Sequence, residues 1–234
     1  MTTSAVTGGG DTPKIRLTGV TRSFDGLRAL DAVDLQLEPR QSLVLIGGSG
    51  SGKSLLLKCI LGLVAPDAGS IEVDGLETIG MPESQRMAWM RRFGVLFQRQ
   101  GLFDSLTVWE NVSFRLLQEH DMSRHDAREI AIAKLRQVGL SADTADLSPS
   151  ELSGGMQKRT GLARAIATDP EILFRDEPTA GLSKMLAEEV YEMLAALAVR
   201  DALTILIVDQ EIRQALKIAH YVYVLELGRN KFEG

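Results

Sequence analysis

Apolar and polar residues alternate near the start of the chain. Ile15, Leu17 and Val20, then Val33, Leu35 and Leu37, predict two half-buried strands of an antiparallel edge layer. The unbroken run Leu43-Val44-Leu45-Ile46 predicts a strand that runs into a glycine-rich loop and a helix. Pro66-Asp67-Ala68-Gly69 turns the chain into a strand from Ser70 to Val73, closed by Asp74-Gly75. Pro82 to Arg92 reads as a helix with proline in its first turn, and Gly94 to Phe97 as a strand that delivers Gln98. From Leu106 to Gly139 the period becomes helical, with Val108, Val112 and Leu116, and later Ile130, Ala133, Leu135 and Val138, on repeating faces. Met156 to Thr168 predicts a further helix and Ile172 to Phe174 a buried parallel strand. Ala187 to Val199 is helical, Leu203 to Val208 a strand, Ile212 to Ala219 a helix, and Tyr221 to Leu225 a terminal strand closed by Gly228. This alternation predicts an α/β fold with a mainly parallel sheet covered on both faces.

Composition narrows the class. With 234 residues and 44% apolar content the chain can fill the core of one large domain. A net charge of −5 argues against a surface that coats nucleic acid. Apolar runs such as Leu203 to Val208 fall far short of the roughly 20 residues that span a bilayer, so a membrane role would come through a partner. Residues 1–13 are rich in Thr and Gly and lack the basic start and apolar stretch of a secretory leader. They read as a disordered tail, and the protein is expected in the cytoplasm. Cys59 lies among Leu56, Leu57, Ile60 and Leu61 and reads as an inert core thiol, while His120, His125 and His220 sit in no motif and read as surface residues.

The chemistry is concentrated after the first buried strand. Gly47-Gly48-Ser49-Gly50-Ser51-Gly52-Lys53-Ser54 is a complete Walker A phosphate loop. Gly47, Gly50 and Gly52 let the backbone turn its N–H groups onto phosphate oxygens without Cβ clashes. Lys53 offers a mobile point charge to those oxygens, the Ser54 hydroxyl is suited to Mg2+, and the helix that starts near Lys53 adds positive potential. The expected ligand is ATP or GTP.

Downstream, Leu152-Ser153-Gly154-Gly155-Met156-Gln157 and Ile172-Leu173-Phe174-Arg175-Asp176-Glu177-Pro178 follow in order, with Gln98 before them. Together with the phosphate loop, these motifs resemble the ATPase subunit of an ABC transporter from about Ile15 to Gly228. The resemblance implies a P-loop NTPase (RecA-like) core over residues 14–234 with an inserted α-helical subdomain at about 99–160. It implies ATP and Mg2+ as cofactors, with Mg2+ held by Ser54, Asp176 and Gln98, and Glu177 as the base that polarises the attacking water. Phe24 is implied to stack on adenine; a ring packed on its own sheet is the alternative. In the family, Ser153, Gly154 and Gly155 reach across a head-to-tail homodimer to the γ-phosphate held by the other copy. Transmembrane permease subunits would then couple through the surface near Gln98, Leu102 and Phe103, which places the protein on the cytoplasmic face of the inner membrane.

Within the family, Phe97-Gln98 followed by the run Gly101 to Val112, together with Leu152 to Met156, is similar to the ATPases of Mla-type phospholipid transport systems. Three positions depart from the family pattern. Arg175 stands where an apolar residue usually precedes the Walker B Asp, and is expected to meet an acid or reach solvent. Ser183-Lys184 replaces the usual Asp-Pro in a segment that carries contacts across the dimer. Gln210 takes the place of the switch His that contacts the γ-phosphate, and can donate a hydrogen bond without carrying a proton. Gln210 and the run Gln214 to Ala219 are nearer to amino-acid importers. The alternatives to a phospholipid motor are therefore another importer ATPase, or an ATP-binding switch with little hydrolysis.

Overall fold

The computed structural model describes residues 12–96, 101–119, 122–176, 184–209 and 212–234. The alternating segments form β1 (Ile15–Phe24) and β2 (Leu27–Leu37), longer than the pattern predicted because Asp25 and Gly26 both adopt positive φ and close them into one hairpin. β3 (Ser42–Ile46) is buried throughout and leads to α1 (Lys53–Ile60). β4 (Ala68–Val73) and β5 (Leu76–Glu77) complete an antiparallel sheet of order β2-β1-β4-β5. α2 (Glu83–Met90) begins after Pro82 and precedes β6 (Phe93–Leu96).

The long helical stretch divides into α3 (Val108–Glu119) and α4 (Arg124–Gln137), the latter capped by Ser123, whose Oγ accepts from the Asp126 N–H. α5 (Gly154–Ala165) packs against both. Then come β7 (Ile172–Asp176), α6 (Lys184–Arg200) and β8 (Thr204–Asp209). The helix expected from Ile212 to Ala219 is only α7 (Ile212–Ala215); the Ile218 N–H turns back to the Ala215 carbonyl and the chain leaves the helix. β9 (Tyr221–Glu226) is followed by β10 (Arg229–Glu233), a strand that the pattern did not predict. Gly228, at φ 76°, does not end the fold but turns it into this last hairpin. The second sheet has the order β10-β9-β3-β8-β7-β6; all its pairings are parallel except that of β10 with β9.

Strand alternation sorts the core into two faces. Leu173, Ile205 and Ile207 join the cluster built with α3 to α6. Ile172, Phe174, Leu206 and Val208 join the cluster beneath α1 and the antiparallel sheet, where Cys59 is buried and its thiol pushed up to about 11. Burial thus leaves it protonated and inert, as expected.

The two sheets are also pinned by charge. Lys14, at the start of β1, donates to Asp74 at 3.1 Å and to Glu171 at 2.6 Å, while Arg92 grips Glu171 through Nε at 2.8 Å and Nη2 at 2.6 Å and also reaches Asp74. These hydrogen bonds, that from Arg92 first, lower the Glu171 carboxyl from 4.5 to about 2. A depressed carboxyl stabilises the fold above its unfolded pKa and loses that contribution as pH falls through its folded value. The stability difference between the parent and Glu171→Gln is therefore expected to be full above pH 4.5 and to shrink towards pH 2. Denaturant titrations at several pH values would show it, and a pH-independent difference would contradict it.

Candidate functional site

The phosphate loop leaves the end of β3, and two of its glycines are required by what lies around them. A Cβ on Gly47 would meet the Leu225 carbonyl of β9 at 2.2 Å and Ser51 Oγ at 2.5 Å. Gly52 has φ 103°, and a Cβ there would also meet the Ala29 carbonyl of β2 at 2.8 Å. The loop is further tied to the last hairpin, since Gly228 N–H donates to the Ser51 carbonyl at 3.0 Å. Gly48, Ser49 and Gly50 form the exposed rim.

Three strands, β2, β3 and β9, and the turn at Gly228 thus hold a loop whose helix, α1, begins at Gly52 with no side-chain cap and no acid in its first turn. Its first N–H groups point their positive potential at the loop, the arrangement that receives an anion. Lys53 is only 5% exposed, and its Nζ donates to the carbonyls of Gly47 at 2.6 Å and Gly48 at 2.9 Å. The lysine charge is therefore folded under the same loop. Ser54, exposed, donates through Oγ to Asp176 Oδ1 at 3.2 Å. Two predicted metal-holding residues 122 positions apart are in contact because β7 ends beside the start of α1.

A hydroxyl and a carboxylate at this spacing fit Mg2+, a hard cation that takes few protein oxygens and completes its shell with water and phosphate. Among the described residues no group of three or more His, Cys, Asp or Glu gathers, so this pair, with Gln98, is the donor set that the sequence proposed. Gln98, Glu177, Ser183 and Gln210 lie outside the described residues.

Phe24 ends β1 with 47% of its surface exposed, and the Arg22 guanidinium lies 4.9 Å from its ring centre. Arg22 of the same strand thus covers one face of the ring, and nearly half of the residue is open to solvent. Ser153 caps α5, its Oγ accepting from the Met156 N–H at 3.3 Å, while Leu152 is buried behind it. Ser153, Gly154 and Gly155 stand at or near the surface and make no hydrogen bond to the phosphate loop of their own chain among the described residues. The site residues are thus split between two places.

Between β6 and the helices, Gly101, Phe103, Phe114, Arg115 and Arg164 line a cleft of about 380 Å3. Its rim is shaped by Asn111, fully buried, which accepts from the Phe103 N–H at 2.7 Å and donates to the carbonyls of Phe103, Leu106 and Thr107. That organising role was not read from the sequence. An Asn at the start of a helical pattern, just after a loop rich in unpaired carbonyls, is the signal that could have found it.

Arg175 is 2% exposed and does not reach solvent. Burial lowers its guanidinium to about 10, and the charges of Tyr191 and Asp209 act the other way. Asp209, a residue that the sequence did not single out, is thus the nearby acid whose charge acts on it.

The profile of the ABC transporter family matches residues 30–180. "Probable ribonucleotide transport ATP-binding protein mkl" of Mycobacterium leprae is 36% identical over 91% of this chain and 62% of its own length. Glutamate transport ATP-binding protein GluA of Corynebacterium glutamicum is 36% identical over 92% of this chain and 87% of its own. The chain spans less than two thirds of the mkl relatives, 62% and 56% in two of them. Among solved structures, the dimeric MJ0796, a bacterial ABC transporter cassette, superposes with a TM-score of 0.85 at 31% identity, covering 94% of this chain and 97% of that one.

Proposed function

We propose, from the premise that this chain belongs to the ABC transporter family, that it is the ATP-binding and ATP-hydrolysing subunit that energises a membrane permease. The observation that carries this reading is the Ser54–Asp176 contact, which brings the ends of the phosphate loop and Walker B strand to one point. Residues 47–54 cradle the phosphates, and Lys53 exchanges its two carbonyl partners for phosphate oxygens. Ser54, Asp176 and Gln98 hold Mg2+, which neutralises phosphate charge during transfer. Glu177 takes the proton from the attacking water, Gln210 donates a hydrogen bond to the γ-phosphate, and Phe24 stacks on adenine.

The exposed Ser153-Gly154-Gly155 N-terminus of α5 completes the site of a second copy of this chain, since it has no partner in its own phosphate loop among the described residues. Such a dimer is glued by ATP and opened by hydrolysis. The permease docks at the cleft beside Phe103, on the cytoplasmic face of the inner membrane; no helix among the described residues is long and apolar enough to cross it. The cargo is phospholipid, a reading supported by the run from Phe97 to Val112. A second reading, amino-acid import, is favoured by the glutamate-transport relative and by Gln210.

Sedimentation with Mg-ATP tests the composite site: Ser153→Arg places a bulky cation at the interface and is expected to leave a monomer where the parent dimerises. A parent that stays monomeric, or a variant that dimerises equally, would refute it. Co-purified permease then separates the cargoes: stimulation of phosphate release by phospholipid supports the first reading, and stimulation only by amino acid supports the second.

A further inference from the structure

The parallel pairing of β7 with β8 sets Arg175 opposite Ile207 and Asp176 opposite Val208, so Asp209 lies two positions on and shares the face of Arg175. Asp176 points to the opposite face, towards Ser54. On the Arg175 face, Asp209 is 3% exposed and accepts a hydrogen bond from the buried Tyr191 hydroxyl of α6. Lys158 of α5 is close enough for the Arg175 charge to lower its ammonium, after burial as the larger cause.

We propose that Arg175, Asp209 and Tyr191 form a buried clasp that positions the catalytic segments. Arg175 precedes Glu177 by two residues, Asp209 precedes Gln210 by one, and Tyr191 lies on the helix that follows residues 177–183. The clasp ties the ends of β7 and β8, where ladder hydrogen bonds run out, to the middle of α6. Opposite charges buried on one face add little over apolar packing as a stabiliser, so their use lies in fixing one geometry. Arg175 and Asp209 touch no substrate; they act through the residues that follow them. This inference rests on the ATPase reading above.

The test compares Arg175→Met, Asp209→Asn, the double variant and Arg175→Lys with the parent, by ATP affinity without Mg2+, by kcat for phosphate release and by thermal unfolding. Either single neutralisation is expected to lower kcat at least about tenfold with ATP affinity within about twofold, because displacement of catalytic groups by about 1 Å costs rate and spares binding. The double variant is expected to regain thermal stability, since no charge is stranded, but not kcat. Arg175→Lys is expected to recover kcat to within about threefold of the parent. A folded neutralised variant with kcat within twofold of the parent, or full recovery of kcat in the double variant, would overturn the clasp. A parent that releases no phosphate would instead defeat the ATPase reading. Amide exchange then decides for the clasp: faster exchange at the tips of β7 and β8 but not in β3 or β9 supports it, and unchanged exchange overturns it.

Discussion

Glu177→Gln is expected to lower the rate of phosphate release by about 10²–10⁴-fold while ATP affinity stays within about threefold. The amide is nearly the shape of the carboxylate but cannot take a proton, so the attacking water loses its base and nothing else. Binding is spared because the phosphates are met elsewhere, by the loop at 47–54 and by Lys53. Position 177 follows Asp176, whose contact with Ser54 fixes the end of β7 at the metal-binding pair. Phosphate release and equilibrium ATP binding, measured side by side, decide it. Turnover retained in Glu177→Gln would remove the general-base role, and a parallel loss of binding would place Glu177 in the fold instead. Gln210→His completes the comparison: a parent without turnover that gains it on this change would be a binding switch that lost hydrolysis at the switch position.

Lys53→Ala is expected to weaken ATP binding at least about tenfold, up to about a hundredfold, since charged hydrogen bonds to phosphate contribute about 1.5–3 kcal/mol each. The change also leaves the Gly47 and Gly48 carbonyls without the donor that joins them. Lys53→Arg separates the two effects. A planar fork cannot follow the compact point charge into this 5% exposed position, so binding stays weak even though the charge is kept. Nucleotide titration against the parent is the measurement. Unchanged affinity in Lys53→Ala would mean that the loop does not hold phosphate.

What could be read in advance followed from periodicity and spacing. Leu43 to Ile46 and Leu203 to Val208 are apolar on both faces, which only a strand between covered layers tolerates, and both proved central in the parallel sheet. The phosphate loop was legible because Gly47, Gly50 and Gly52 each have a mechanical reason, crowding at the first, a positive φ at the second and both at the third. The last strand was not, because Arg229-Asn230-Lys231-Phe232-Glu233 is an edge strand with mostly exposed side chains and so carries no alternation. The shortening of the helix after Ile212 was equally hidden, since among the side chains described there Ala215 is fully buried and Leu216 and Lys217 face outward. Asp209 escaped notice because a charge at the end of an apolar run looks like a strand terminus; that it shares a face with Arg175 of the neighbouring strand is revealed only by the register, and its bond to Tyr191 only by the packing of α6.

The crowding of Gly47 has a bearing on how this protein can drift. The atom that forbids a side chain there is a main-chain carbonyl, that of Leu225, 178 positions later. No exchange of one side chain for another at 225 moves a carbonyl oxygen, so no second change there can rescue a first at 47. Two neighbouring positions are thus bound to each other without leaving any paired variation between them, and a search for covarying residues would pass over this constraint.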